Sequence, residues 1–299
     1  MVIVGSFNAQ QSCLLVWKKM KAKEKIFEVI FLLAACFSII SVLLICLFLF
    51  VNGIPAMQKI GFFNFLLGQK WKPSNEIFGI LPMILGSIYV TVGAVVFGVP
   101  IGLMTAVFLA KFCPKKIHKI LKPAVDLLAG IPSVVYGFFG LTVIVPLIRN
   151  VFGGTGSSML TASILLGIMI LPTIISVSES AINAVPQNYY EGARALGATH
   201  ERSVFKTMIP AAKSGIMAGI VLGIGRAIGE TMAVIMVAGN QARMPEGLLK
   251  GIRTLTANIV IEMGYAADLH REALIATGVV LFVFILIINL LFNVIKEKK

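Results

Sequence analysis

Six runs of roughly 20 or more almost uncharged residues decide what this chain can fold into, because about 20 mostly apolar residues let a helix cross the hydrocarbon core of a bilayer. They are Phe27–Val51, Pro82–Ala110, Pro123–Ile148, Ser157–Val177, Ser214–Ala238 and Glu272–Ile295. None alternates polar with apolar residues, as the strands of a membrane barrel do over about ten residues. The expectation is an all-α integral membrane protein with six transmembrane helices. Composition agrees: 13% of residues are charged, where a soluble domain carries about a quarter.

Basic residues set the expected orientation. With the N-terminus in the cytoplasm, the inside segments hold 17 Lys and Arg residues, among them Lys18–Lys25, Lys111–Lys122 and Arg194–Lys213. The outside segments hold 8, including Lys59, Arg149 and Arg253. That bias places both termini in the cytoplasm, and it accounts for most of the net charge of +13. Basic residues divided among short loops do not make a nucleic-acid surface, and no nucleic-acid partner is expected. The parts then read as a cytoplasmic tail over 1–26, a first helix over 27–51 and an extracytoplasmic loop over 52–81. A five-helix core over 82–295 and a short tail over 296–299 complete the chain. The first run is too long for a cleavable signal and lacks a small-residue cleavage site, so it reads as a retained anchor. Met20, where the basic flank begins, is an alternative start.

Reactive constellations are absent from the sequence. Cys13, Cys36, Cys46 and Cys113 form no CxxC pair and read as bland thiols rather than a disulfide framework or a zinc site. His118, His200 and His270 lie in loops or at helix ends without a metal-ligand partner at i+3 or i+4. No HExxH, GxSxG or phosphate-binding GxxxxGK[ST] occurs. The chain is therefore expected to be no enzyme and to bind no cofactor, and any ATP hydrolysis has to come from another chain.

Two stretches carry chemistry. In "GIGRAIGETMAV", Arg226 and Glu230 stand four residues apart, with no other charge between Lys213 and Arg243. Gly215, Gly219 and Gly223 lead into them on one face of an uninterrupted helix, within an arc of about 80°. Small residues let a neighbouring helix approach closely. A bare arginine in the bilayer costs between about 3 and 17 kcal/mol, so the pair must face protein or water. Two readings stand: a salt bridge locking two helices, or an anion contact lining a pathway, with Glu230 holding Arg226 until substrate competes. The second stretch, "YYEGARALGATHERSVFKTMIPAAKSG", is polar and sits on the expected cytoplasmic side. Glu191–Leu196 reads as a compact helix presenting Tyr190, Ala193 and Leu196, stopped by Gly197. A short helix set in a partner's groove is a common recognition mode. Pro132 reads as a kink or a helix-start residue, and Asp126 as an anchor for the cytoplasmic end of the third run.

The second stretch resembles the EAA loop of ABC-importer permeases. Glu191, Gly192, Ala193 and Gly197 match its first part, and Thr207, Ile209 and Pro210 its second. Gly192, Thr207 and Ile209 depart from the family's Ala, Ile and Leu. "LLAGIPSVVYGFFGL" (127–141), "RAIGETMAV" and the second run (86–110) make the chain similar to phosphate-importer permeases of the PstC type, from about Ile80 to Ile295. The resemblance implies a type I ABC-importer permease fold. It also implies a coupling helix at Glu191, Gly192, Ala193, Leu196 and Gly197 within a coupling loop over 187–212. Arg226 and Glu230 become substrate-pathway residues. The implied partners are a homologous permease in a heterodimer, two ATP-binding subunits that hold ATP and magnesium, an extracytoplasmic phosphate-binding protein and membrane lipid. Met232, Ala233 and Val234 after "GET" point to the first of the two permeases. Sulfate or molybdate is the alternative substrate class. A secondary transporter, which would show inverted repeats, is the alternative machine, and no such repeat is visible.

Overall fold

The computed structural model describes the backbone over residues 2–297 and side chains over 24–291. The chain divides between Val51 and Asn52 into two units. The first unit belongs to helix α1 (Val2–Ile60), in which the large apolar side chains from Ile26 to Leu47, such as Phe31 and Phe37, are exposed. The helix takes in residues 2–26, read above as a tail. It also runs on past Val51 through Pro55, so the first nine residues of the expected loop are helical. Cys13 falls among the residues whose side chains are not described, and Lys298 and Lys299 lie outside the described residues.

After α1 comes a short helix, α2 (Phe62–Leu67), and a hairpin of β1 (Trp71–Lys72) and β2 (Ile77–Phe78), paired antiparallel with Trp71 opposite Phe78. The hairpin is a small exception to the expected all-helical chain. Helix α3 (Leu81–Val107) follows and ends in a π-helical turn at Phe108–Phe112. Then come α4 (Lys115–Gly130), α5 (Ser133–Phe139) and α6 (Val145–Phe152), the last two joined by a π-helical turn at Gly140–Ile144. The centre of the bundle is α7 (Met159–Asn183). The remaining helices are α8 (Gln187–Ala195), α9 (His200–Ser203), α10 (Ile209–Ala211), α11 (Lys213–Gly229), α12 (Met232–Val237), α13 (Leu255–Glu262) and α14 (Asp268–Glu297).

Among the described residues, five helical segments are long and apolar enough to cross a membrane, and a sixth is obtained if the pair His200–Ala211 and Lys213–Gly229, bent by 69°, counts as one. The third begins at Ser133, not Pro123. Pro132 fixes the reason: it caps α5 in an extended conformation, and proline disfavours helix in the residue before it. The residues from 123 to 130 belong instead to α4, which carries four lysines and buries none of its side chains.

Helix α7 is the axis of the core. Its Leu165, Leu166, Met169, Ile170 and Ile174 are at most 2% exposed and meet Val90 and Ala94 of α3, Tyr136 of α5 and Ala227 of α11. The glycine stripe of α11 lies on α7 as the spacing predicts. A methyl group added at Gly215 would stand 2.4 Å from the Ala181 side chain, and one at Gly223 would stand 3.0 Å from Ile174. The helices therefore touch backbone to side chain along three turns, running antiparallel.

Candidate functional site

The glycine stripe leads to a break. Helix α11 ends at Gly229, Glu230 is extended (φ −71°, ψ 131°) and Thr231 is non-helical before α12 begins at Met232. Seventeen residues of α11 rise only about 26 Å, less than the roughly 30 Å hydrocarbon thickness. Irregular backbone at that depth is tolerated only where it is buried in protein or lines a water-filled cavity. Here its polar groups are met locally. The Glu230 N–H donates to Ala227 O at 3.4 Å, Thr231 Oγ1 to Gly229 O at 3.3 Å, and Thr256 Oγ1 to Glu230 O at 3.1 Å.

The break overturns the expected pairing of Arg226 with Glu230. An i, i+4 contact needs a continuous helix between the two residues, and the extended Glu230 interrupts it. Glu230 Oε1 instead accepts from the Ala233 N–H at 3.2 Å, capping α12. Among the described residues no hydrogen bond or ion pair engages the Arg226 guanidinium, which is partly exposed and lies within electrostatic range of Tyr136 on α5. Tyr136 is itself held, its hydroxyl donating to Leu128 O at 2.8 Å. Among the described residues the Arg226 guanidinium is thus left without a carboxylate partner beside a helix break, and the Glu230 carboxylate is engaged by a backbone N–H.

At the far end of α7 the polar loop forms α8. Gly197 follows it with φ +83°, a left-handed conformation that costs a β-carbon-bearing residue about 1 kcal/mol or more. Leu196 is 92% exposed, and Glu191 and Gly192 are also exposed. A side chain added at Gly192 or Gly197 would meet nothing within 4 Å, so this face is open. Ala193 and Leu196 border a groove of about 400 Å³ with Arg202 and Lys206. Tyr190 departs from the expectation: it turns inward, its hydroxyl 3.0 Å from His200 Nδ1. His200 Nε2 sits 3.2 Å from Lys111 O at the end of α3, and Phe112 packs edge-on against the same ring at 4.8 Å. Arg194 closes the turn by donating to Ala198 O at 2.7 Å. The open face is thus fixed rigidly to the second spanning helix.

Two buried carboxylates escaped the sequence reading. Glu179, near the end of α7, has Oε1 2.8 Å from His118 Nε2 and Oε2 3.1 Å from Lys122 Nζ. Asp126 pairs with Lys122 at 3.2 Å and accepts from Ser176, so it ties α4 to α7. Glu262, at the end of α13, takes Trp71 Nε1 and His270 Nε2 on Oε2, each at 2.8 Å, and Arg253 on Oε1. All three histidines therefore act as bridges between elements. The signal for Glu179 was weak, since it stands two residues past the fourth apolar run and only the observed extension of α7 to Asn183 brings it into the helix; an acid within a spanning helix is costly unless it has partners.

Broken spanning helix, central α7 and the exposed polar loop beyond it make up a multi-pass membrane protein. The chain belongs to the family described as "Binding-protein-dependent transport system inner membrane component", whose pattern matches residues 98–299. It is 41% identical over 250 residues to "Probable ABC transporter permease protein YqgH" of Bacillus subtilis, covering 81% of this chain and 79% of that one. It is 36% identical to "Phosphate transport system permease protein PstC" of Mesorhizobium japonicum, covering 80% of each. The fold is that of type I ABC-importer permeases: an inward-facing structure of the MetNI methionine ABC transporter superposes with a TM-score of 0.61 over 77% of this chain and 99% of that one, at 20% identity.

Proposed function

We propose that this chain is one of two homologous permeases of an ATP-driven phosphate importer, and that Arg226 and Glu230 line its pathway. The observation that carries the reading is the Arg226 guanidinium, unpaired among the described residues, beside the break at Glu230. Phosphate entering a low-dielectric passage needs a compensating charge, and a single cation supplies one without the deep trap that a dense cluster would make. Glu230, engaged by the Ala233 N–H, shapes the break rather than neutralising Arg226. The phosphate permease names of several relatives support the substrate class.

In this reading both termini face the cytoplasm, the hairpin faces outward, and an extracytoplasmic binding protein delivers phosphate there. The exposed face of α8, with Glu191, Gly192, Ala193, Leu196 and Gly197, seats one of two ATP-binding subunits, which hold ATP and magnesium. This chain holds no cofactor. Closure of the ATP-binding pair moves α8, and the His200 bridge passes that movement to α3.

The test is labelled phosphate uptake into proteoliposomes holding this chain, its partner permease, the ATP-binding subunits and the binding protein. ATP-dependent uptake that Arg226→Ala abolishes in a fully assembled complex is the expected result. Uptake of sulfate but not phosphate discards the substrate. Uptake indifferent to ATP discards the machine.

A further inference from the structure

The buried cluster around Glu262 has no part in the function described so far, yet it touches the pathway through one hydroxyl. Helix α13 is fixed at both ends. At its start Leu255 N donates to Ser87 Oγ of α3 at 3.0 Å, and Thr254 caps the helix by accepting from Ala257 N at 3.2 Å. At its end Glu262 gathers Trp71 from the hairpin, His270 from α14 and Arg253 from the preceding loop. Arg253 is itself spread across the site, donating to Asn240 O at 3.1 Å and to Asn258 Oδ1 at 3.0 Å. Between these anchors Thr256, 7% exposed, donates to Glu230 O at the break. Its proton is spent on that carbonyl, so in the Thr254–Thr256 contact at 3.1 Å the Thr254 hydroxyl is the donor. One set of hydrogen bonds runs from the hairpin indole through Glu262 and Arg253 to Asn258, another from Thr254 through Thr256 to the carbonyl that follows the arginine-bearing helix. The first turn of α13 joins them where Asn258 N donates to Thr254 O at 2.9 Å.

We propose that Thr256 and Glu262 are positioning residues for translocation: Glu262 joins the hairpin, α14 and α13 into one platform, and Thr256 fixes the pathway break to that platform. A carbonyl released from α11 has no helical partner, and a buried acceptor left unmet is costly. The hydroxyl of Thr256 therefore selects the backbone conformation in which Glu230 caps α12 and Arg226 is left facing the passage. A displacement of the hairpin by a docked protein reaches the break along the same bonds.

The inference rests on the reading of Arg226 and Glu230 as pathway residues, and the experiment separates the two. Uptake by the complete reconstituted complex is measured per assembled complex, as maximum rate and as the half-saturating concentration of phosphate-loaded binding protein, for Thr256→Val, Thr256→Ser, Trp71→Phe and Arg226→Ala. Thr256→Val is expected to lower the maximum rate about fivefold to tenfold, the worth of one buried hydrogen bond, with the half-saturating concentration unchanged. Thr256→Ser, which keeps the hydroxyl, is expected to stay within about twofold of wild type by the same measure. A wild-type rate for Thr256→Val, or an equal loss in Thr256→Ser, overturns the positioning role while an inactive Arg226→Ala leaves the pathway standing. A wild-type rate for Arg226→Ala removes the pathway reading itself. Should the valine variant fail to assemble, Trp71→Phe decides: a reduced maximum rate with normal assembly supports the platform, and a wild-type rate overturns it.

Discussion

Glu179 and Glu262 are built alike and held differently. Each is a carboxylate 5% exposed, with a histidine 2.8 Å from one oxygen and a basic side chain on the other. Around Glu262 the basic group is an arginine only 14% exposed in its side chain, forked among a carboxylate, an amide oxygen and a backbone carbonyl. A neutral indole N–H completes the shell. Around Glu179 the basic group is a lysine 26% exposed, shared with Asp126, and the histidine is 36% exposed. The first site is over-determined and mostly dry, so removing one member strands the others. The second is more exposed and has a spare carboxylate at hand. α7 ends near the loose site and the hairpin hangs on the tight one, so the less enclosed carboxylate site lies at the end where an ATP-binding subunit is proposed to push.

The largest expected effect follows from that difference. Glu262→Ala leaves Arg253 buried without its counter-ion, which costs about 3–5 kcal/mol, whereas Glu179→Ala leaves Lys122 with Asp126 and solvent and costs no more than about 2 kcal/mol. Thermal unfolding of the two purified complexes measures both. Equal losses would show that the two sites are equally dry, and the contrast drawn from exposure would fall. Next in size is the exchange of cations. Arg253→Lys loses the planar fork that serves three acceptors and is expected to cost about 1.5–3 kcal/mol, the value of a charged hydrogen bond. Lys122→Arg keeps a cation near two carboxylates and is expected to change stability by less than about 0.5 kcal/mol.

The same contrast explains what the sequence could tell. The spans, the glycine stripe and the Gly197 stop were legible because they rest on local pattern: apolar length, four-residue spacing and one left-handed residue. The break at Glu230 was not. Arg226 and Glu230 fit the arc of a continuous helix, and no proline marks the interruption; it is held by Thr256, 26 residues further on. Pro132 did mark the true start of the third span, but the apolar run around it hid the boundary. The Glu262 site joins Trp71 to a residue 191 positions away, a pairing that no periodicity encodes. Tyr190 was misplaced because its partner, His200, lies across a turn and not on its own helix.

Among substitutions that remove a group, the smallest expected effect tests whether the loose site is tuned by pH or by occupancy. Burial alone would lower the Lys122 pKa, but hydrogen bonds and charges from Glu179 and Asp126 outweigh it, and the pKa lies above the ordinary 10.5. A raised lysine pKa adds stability that is fully present below the unfolded value and is lost as pH rises through the folded one. The loss therefore falls above about pH 10.5, outside the range in which a cell would use it. Substitution is the cleaner probe. Lys122→Met is expected to cost about 1 kcal/mol or less, as for other partly exposed pairs, in thermal unfolding at neutral pH, and to flatten the stability loss above pH 10. A cost as large as that of Glu262→Ala would mean that Glu179 depends on this one cation, and the two carboxylate sites would then be alike in strength as well as in form.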